Sequence, residues 1–279
     1  MGKDKRMPTG QVIISDSLVK ARLDGVMLPA PGPWIHPNPI YKDKIILSPN
    51  NSKVNQGSLK LNLGYALAYG KPAILSCAFN GDCIKYCYGR KVNARYKASL
   101  RIHGHNYTII YGKRLKPVLN AIQTGYNLAC ELYPRKDFNV IRLNDNGDFI
   151  SYAEVKAWIL FADNNPSLIV YGYTKASPYI WKALNEFKRF PDNFRITLSI
   201  TDNLESSKYT QRCISEFRSE VITCKIIDKI PDPYPALPWN NLEEQAIKHT
   251  SDFKIALHNN SNISKFYKDL SDKIGIQTC

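Results

Sequence analysis

The part of the chain that decides the fold runs from residue 138 to residue 200 and contains three apolar runs: Phe138-Asn-Val-Ile-Arg-Leu143, Leu168-Ile-Val-Tyr-Gly-Tyr-Thr174 and Phe194-Arg-Ile-Thr-Leu-Ser-Ile200. Each run has the length and the content of β-branched and aromatic residues that are typical of a strand. A helical pattern separates each run from the next. Strands that alternate with helices at this spacing predict right-handed crossovers and a parallel sheet.

Two helix start signals support this reading. Ser151-Tyr-Ala-Glu154 has the form of a capping box, in which the hydroxyl and the carboxylate satisfy each other's backbone donors. Ser177 is followed by Pro178, which is the pattern of an N-cap with proline at the first helical position. One helix is therefore expected after the first strand and another after the second.

The pattern continues outward on both sides of this stretch. Further helices are predicted at residues 93–110, 115–132, 211–220, 241–249 and 263–274, and further strands at 58–63, 73–76, 221–227 and 253–258. Counted from Ala73, the chain has about six parallel strands, which suits an incomplete barrel better than a closed one. We predict a single α/β domain over residues 45–279, built as a partial, open TIM-like parallel β/α barrel, with residues 1–44 as an N-terminal extension.

Composition narrows the function classes. The hydrophobic fraction of 44% is ordinary for a globular protein. No apolar run has the length of a membrane span, and the charged N-terminus precedes no signal-peptide core, so we expect a cytoplasmic protein without membrane contact. The net charge of +14 favours a polyanionic partner such as nucleic acid. A solvated basic surface is the equally weighted alternative.

Three cysteines lie within eleven residues in Cys77-Ala-Phe-Asn-Gly-Asp-Cys83-Ile-Lys-Tyr-Cys87. Clustered cysteines in a reducing compartment are more often metal ligands or catalytic groups than disulfides. Structural zinc sites usually repeat a Cys-x2-Cys pair, which is missing here, whereas the spacing of iron–sulfur ligands varies more. A zinc site would need a distant fourth ligand. The remaining cysteines and the His103–His105 pair are the candidates for it, although such histidines are more often exposed. Packed, reduced thiols are the third alternative.

The polar residues that follow the predicted strands form the rest of the candidate site. In a parallel sheet the carboxyl ends of the strands meet at one edge, where sites are built. The loops at this edge contain the three cysteines, then Asn146-Gly147-Asp148, then Tyr173-Thr174-Lys175, then residues 199–202. The topology therefore predicts a metal centre beside a carboxylate and several hydroxyls.

Five motifs carry a family resemblance. They are Asn51-Ser-Lys-Val54, the cysteine loop, Arg142-Leu-Asn-Asp-Asn-Gly-Asp-Phe149, Tyr171-Gly-Tyr-Thr174 and Arg195-Ile-Thr-Leu-Ser-Ile-Thr-Asp202. Over about residues 46–205 the chain resembles the gene-product-88-like family of phage and plasmid proteins. The layout of that family in turn resembles the radical S-adenosylmethionine superfamily. If the protein is phage-encoded, the cytoplasm is that of a bacterial host.

This resemblance implies roles for individual residues. Cys77, Cys83 and Cys87 would ligate a [4Fe-4S] cluster, although both gaps are longer than the usual Cys-x3-Cys-x2-Cys. Asn146, Gly147 and Asp148 stand where a Gly-Gly-Glu-like motif would bind S-adenosylmethionine, with Asp148 accepting a hydrogen bond from its ammonium group. The remaining candidates would line the cofactor pocket or fill the barrel: Arg142, Tyr171, Tyr173, Ser199 and Thr201.

Two functions follow from the sequence. The first is a radical-SAM-like iron–sulfur enzyme that receives electrons from a donor and acts on an anionic substrate such as nucleic acid. The second is a non-enzymatic, basic, nucleic-acid-binding protein in which an iron–sulfur cluster or a zinc ion staples the cysteine loop. The sequence identifies neither the substrate nor a general base.

Overall fold

A computed structural model describes residues 36–49, 58–60, 76–79, 97–226 and 253–255 of the chain. Its helices are α1 (Lys97–Ile110), α2 (Leu115–Leu132), α3 (Tyr152–Asp163), α4 (Ser177–Phe187) and α5 (Leu204–Glu216). Its strands are β1 (Ser48–Pro49), β2 (Ser58–Lys60), β3 (Val140–Leu143), β4 (Ile169–Thr174), β5 (Phe194–Ser199), β6 (Ile222–Ile226) and β7 (Phe253–Ile255). None of the described helices has the length and apolar character that a membrane crossing requires.

The strands form one sheet in sequential order, from β1 to β7. β1 pairs antiparallel with β2, and each later pair of neighbours is parallel. The mixed α/β class and the parallel sheet are therefore confirmed. One strand differs from the prediction: the parallel neighbour of β3 is Ser58–Lys60. Ser76, the last residue of the predicted strand 73–76, lies in a 3-10 turn, and residues 73–75 lie outside the described part.

The sheet has two chemically different faces. On one face, Ile141, Val170 and Ile196 belong to the hydrophobic core that also contains Val118 of α2 and Trp158 of α3. Side chains alternate along a strand, so the intervening residues point to the other face. Those residues are largely polar: Arg142, Tyr171, Tyr173, Arg195, Thr197 and Ser199. The helices thus cover an apolar face, and the opposite face of β3 to β5 is polar.

Most of the predicted helices in the described ranges are present, and their bounds lie within about one turn of the predicted ones. α2 has the predicted bounds and its inward face is buried or half-buried, as is that of α3. The N-cap of α4 is Ala176 instead of Ser177, because the Ser177 hydroxyl lies 2.7 Å from the Thr210 hydroxyl of α5. α5 begins at Leu204, well before the predicted residue 211, because Asn203 caps it by accepting from the Ser206 amide at 2.9 Å.

Residues 36–47 pack against α1 and α2. The Asn106 side chain of α1 pairs with both backbone groups of Ile46, at 2.6 and 2.9 Å. The Ile45 amide donates to the carbonyl of Ala121 in α2 at 3.2 Å. α1 continues through His103 and His105 without interruption, and both histidines are buried. The expectation that they are exposed was therefore wrong.

Several predictions fall on residues outside the described ranges. They concern most of the N-terminal extension, the second and third cysteines of the loop, the helix at 241–249 and the terminal helix. The division into an extension over residues 1–44 and a domain over residues 45–279 stays a prediction.

Candidate functional site

Asp148 is the hydrogen-bonding centre of the loop that leaves β3. Its side chain is buried, and its Oδ1 accepts from the Phe149 amide at 2.8 Å and from the Thr174 hydroxyl at 2.5 Å. Its Oδ2 accepts from the Lys175 amide at 2.9 Å. Thr174 ends β4, so Asp148 ties the loop after β3 to the carboxyl end of the neighbouring strand. This joins two of the predicted site loops at one edge of the sheet.

The surroundings of Asp148 shift the pKa of its carboxyl in two opposite directions. Burial raises the pKa of this carboxyl above its usual range, while the charge of Lys175 and the three hydrogen bonds oppose that rise. An ionised carboxylate has about four acceptor positions, and three are used here. Oδ2 accepts only one of these hydrogen bonds, so it can accept a second one from a donor such as an ammonium group. The predicted role in cofactor binding stays a prediction.

Glu154 is a second buried carboxyl behind this loop. Its Oε2 accepts from the Ile150 amide at 2.9 Å, and its own amide donates to the Ser151 hydroxyl at 3.1 Å. The predicted capping box is thus present in a variant form, because the carboxylate reaches the residue before the N-cap. Burial, with a contribution from the charge of Asp148, raises the pKa of Glu154 to about 8. Glu154 is therefore largely protonated at neutral pH.

Some of the buried polar atoms that lack a hydrogen-bond partner among the described residues belong to three side chains of β3 to β5 and their loops. They are both side-chain atoms of Asn144, the Nδ2 of Asn146 and the Oγ1 of Thr197. Buried polar groups are normally hydrogen-bonded, and each exception calls for an explanation such as a bound molecule. Asn144 and Asn146 follow β3, and Thr197 lies near the carboxyl end of β5. These three side chains therefore lie on, or directly after, strands that carry the candidate site.

Strand register places most of the predicted pocket residues on the polar face of the sheet. Arg142 pairs with Tyr171, and Tyr173 pairs with Thr197. Arg142 also forms an ion pair with Asp145, in which Nη1 lies 3.0 Å from Oδ1. Ser199 follows Thr197 by two residues and lies on the same face. The structure thus brings Arg142, Tyr171, Tyr173 and Ser199 onto one surface.

Thr201 lies apart from that surface. It stands in the loop between β5 and α5, where its hydroxyl accepts from the Asn203 amide at 3.3 Å and donates to Asp202 at 3.3 Å. Gly147, in the loop after β3, has a backbone φ of +95°. This conformation strains a residue with a side chain, which explains a glycine at that position of the predicted cofactor motif.

The cysteine loop begins near the same edge of the sheet. Phe79 is buried, and its ring packs edge-to-face on Tyr179 with ring centres 5.3 Å apart. Tyr179 is in the first turn of α4, just after the end of β4. The half-buried Cys77 is only two residues from Phe79, so it lies in the neighbourhood of the β4 terminus. A soft thiolate donor at this place fits an iron–sulfur or zinc centre.

The other described sulfur and nitrogen ligands are not gathered there. No group of three His, Cys, Asp or Glu within the described residues is arranged to hold a metal, and Cys83 and Cys87 lie outside those residues. Cys130 is half-buried on α2. Cys213 is buried in the core, and burial, helped by the charge of Glu216, raises the pKa of its thiol to about 12. Cys213 is thus a protonated core residue.

Sequence reasoning missed two groups of this region. The ionisation of Glu154 could not be predicted from a capping pattern, since it depends on the burial of the carboxyl in the folded protein. Thr197 could have been found, because it stands between Arg195 and Ser199 in the period-two pattern of β5 and faces the same side.

The family model described as gene product 88 matches residues 41–258. The chain belongs to the gene product 88 family. Neither a curated protein nor a solved structure gives a significant match to the chain. The gene product 88 match is wider than the range of the five motifs, and it includes all three loop cysteines, the loop after β3 and the polar face of the sheet.

Proposed function

We propose that this gene product 88 protein is an iron–sulfur protein of the radical-SAM-like kind, in which Cys77, Cys83 and Cys87 hold a [4Fe-4S] cluster. The observation that carries the proposal is the contact between Phe79 and Tyr179. It sets the start of the cysteine loop beside the carboxyl end of β4, the same edge to which Asp148 ties the loop after β3. This contact supports a site that the loop cysteines would share with the polar groups of that edge.

The connectivity of the sheet supports the matching architecture. The strands from β2 to β7 are parallel and follow each other in chain order, which is the connectivity of consecutive β/α units in a barrel. We infer a partial, open TIM-like barrel over residues 45–279, preceded by an extension over residues 1–44. In such folds the sites lie at the carboxyl ends of the strands.

The chain's own residues would bind and orient the reactants. A three-cysteine cluster of this type supplies an open iron site and one electron for breaking a sulfonium bond of S-adenosylmethionine. Asn146, Gly147 and Asp148 would hold the amino-acid end of that cofactor, with the second oxygen of Asp148 as acceptor. Arg142, Tyr173, Ser199 and Thr201 would line the space around it. A one-electron donor is the partner that this chemistry requires.

Iron and sulfide content test the proposal. Protein purified without oxygen should contain about four iron and four sulfide per chain. Cys83→Ser should lose most of both, because one of three ligands is removed. Cys130→Ser is the matched control: it removes a cysteine from α2, outside the loop, and should keep the full content. Equal iron content in all three proteins, or none in the wild type, would contradict the proposal.

A second function has one observation in its favour. Asp148 already accepts three hydrogen bonds from its own loop and from β4, which is what a purely structural carboxylate does. On this account a zinc ion or a fully ligated cluster staples the cysteine loop, and the protein uses its net charge of +14 to bind nucleic acid without catalysis. It predicts a fourth protein ligand and no affinity for S-adenosylmethionine.

A further inference from the structure

A chain of hydrogen bonds joins the loops that follow β3 and β4 to the first turn of α5. The Thr174 hydroxyl, at the end of β4, lies 2.5 Å from Oδ1 of Asp148, and the Lys175 amide donates to Oδ2 at 2.9 Å. From α5, the Ser206 hydroxyl donates to the Lys175 carbonyl at 2.6 Å. Asp148, Thr174 and Ser206 are buried. Three segments that are distant in sequence thus meet around one carboxyl group.

The direction of each hydrogen bond to this carboxyl follows from its partners. The Ala176 amide donates to the Thr174 hydroxyl oxygen at 2.9 Å. An amide can only donate, so the hydroxyl proton of Thr174 is left for Asp148. The amides of Phe149 and Lys175 are likewise fixed donors to the two carboxyl oxygens. All three hydrogen bonds therefore favour the ionised carboxylate over the protonated acid.

Ser206 holds the peptide group on which this arrangement depends. The peptide between Lys175 and Ala176 has its carbonyl on the Ser206 hydroxyl and its N–H on the Thr174 hydroxyl. Ser206 is itself fixed at the start of α5, because its amide donates to the Asn203 side chain at 2.9 Å. The first turn of α5 therefore sets the position of the loop after β4, and with it the position of the Thr174 hydroxyl.

We infer that Thr174 and Ser206 are positioning residues for Asp148: the Thr174 hydroxyl orients the carboxylate and favours its ionised form, and Ser206 fixes the loop that carries this hydroxyl. Hydrogen bonds between an ammonium group and an ionised carboxylate are stronger than those between neutral groups. The inference rests on the proposed function and deepens it, because Asp148 needs its negative charge to bind the amino group of S-adenosylmethionine. Both residues act through Asp148 and not through contact with the cofactor.

Two charged groups among the described residues act on Asp148 in addition to these hydrogen bonds. Burial, the largest influence, raises the pKa of the Asp148 carboxyl, and the charge of Lys175 lowers it. The pKa of Glu154 is raised mainly by burial and also by the charge of Asp148, so the two carboxyls interact. Neither Lys175 nor Glu154 changes when Thr174 or Ser206 is replaced. A difference in titration between such variants therefore reports the hydroxyl groups.

The pH titration of Asp148 tests the inference without a cofactor. The ¹³C resonance of its carboxyl, in protein labelled at the aspartate carboxyl carbons and assigned with Asp148→Asn, reports the ionised fraction. In Thr174→Val the proton affinity of Asp148 should rise about tenfold or more, because a hydrogen bond to a charged group is lost. Thr174→Ser keeps a hydroxyl and should titrate like the wild type. Ser206→Ala should raise the proton affinity by a smaller factor.

The matched control is Thr210→Val. It makes the same substitution at another buried threonine, whose hydroxyl lies on α5 and 2.7 Å from that of Ser177. Asp148 should titrate in this variant as in the wild type. An unchanged titration in Thr174→Val, or an equal change in Thr210→Val, would overturn the inference. Where Thr174→Val does not fold, an unchanged titration in Ser206→Ala overturns it.

Adding S-adenosylmethionine to the same samples separates this inference from the proposed function. The Asp148 resonance of the wild type should move on addition, because the carboxylate would accept from the amino group of the cofactor. A resonance that does not move, together with the expected titrations, would contradict the role of Asp148 in cofactor binding. Thr174 and Ser206 would then still be the residues that position Asp148.

Discussion

At the scale of single residues, Glu154 makes stability depend on pH. Its carboxyl is buried, and its pKa is raised from an ordinary 4.5 to about 8. Between these values the folded protein binds a proton that the unfolded chain releases, so this group lowers stability progressively as the pH rises through that window. Above about pH 8 the carboxyl is ionised in both states and the full cost is present.

Glu154→Gln should therefore flatten the pH dependence. The amide keeps an oxygen that can accept from the Ile150 amide and carries no charge at any pH. The loss of unfolding free energy between about pH 5 and pH 9 should shrink by on the order of 1–3 kcal/mol, as measured by urea unfolding. Glu205→Gln, at an exposed position in the first turn of α5, should keep the wild-type slope. Equal slopes in all three proteins would refute the assignment.

His105 produces a dependence of the opposite sign. Its Nδ1 accepts from the His36 amide at 3.0 Å, and its Nε2 donates to the Lys44 carbonyl at 2.8 Å, which fixes the neutral form with the proton on Nε2. Burial, more than any other cause, lowers its pKa below 6.5. The unfolded chain thus binds the proton first, and the stability that His105 provides is present above about pH 6.5 and is lost as the pH falls.

Amide hydrogen exchange in residues 36–47 measures this effect. In the wild type, protection of these amides relative to those of α2 should fall markedly between about pH 7 and pH 5, because a second ring proton would face the His36 amide. In His105→Asn the protection should be lower and nearly independent of pH in this range. Constant relative protection in the wild type would show that His105 does not control the docking of this segment.

The residue scale also shows what a sequence can and cannot reveal. The positions of Arg142, Tyr171 and Ser199 on the polar face of the sheet could be predicted, because they alternate with apolar residues in recognisable strands. The state of Glu154 and the partners of His105 could not be predicted. The state of Glu154 depends on its burial in the folded protein, and the partners of His105 lie about sixty and about seventy residues away. The helical pattern alone predicts only a cap and an exposed pair.

At the scale of elements, Gly125 controls how the segment before β1 meets α2. A Cβ added at Gly125 would lie 2.4 Å from the Ile45 carbonyl oxygen. In an ordinary helix, replacing glycine by alanine stabilises by about 1 kcal/mol. Here the backbone of the docked segment has to move, so Gly125→Ala should destabilise the protein by about 1–3 kcal/mol in urea unfolding.

The neighbouring position supplies the control for that change. Thr124 is exposed on the same turn of α2, and Thr124→Ala should be neutral or slightly stabilising, as helix propensity predicts. A stabilising effect of Gly125→Ala equal to that of Thr124→Ala would mean that the close approach of Ile45 and α2 is absent in solution.

Element boundaries were predictable where one local pattern decides them. The bounds of α2 follow from its apolar periodicity, and the start of α3 follows from the Ser151 cap. The start of α5 follows from the Asn203 cap, whereas the start of α4 depends on a contact with α5, the pair of hydroxyls of Ser177 and Thr210. That contact draws Ser177 into the helix, and no local rule contains it.

At the scale of the whole molecule, the order of the sheet was the most predictable feature. A chain of alternating strands and helices with short connections can adopt only a few sheet topologies. The central strands β3, β4 and β5 pair in chain order, as expected. The neighbour of β3 differs from the prediction, because the run Ala73–Ser76 is more apolar than Ser58–Lys60 and has the stronger pattern of a buried parallel strand. Apolar content identifies buried segments but not their partners.

The central claim is that the three-cysteine loop holds a cluster with an iron open to S-adenosylmethionine. Electron paramagnetic resonance of the reduced protein, purified without oxygen, tests it most directly. A cluster spectrum that shifts when S-adenosylmethionine is added, and that disappears in Cys83→Ser, is the predicted result. A cluster spectrum unchanged by the cofactor, or zinc in place of iron in cells replete with iron, would contradict the claim. Either result would favour the second function, a basic nucleic-acid-binding protein whose cysteine loop is held by a structural metal site.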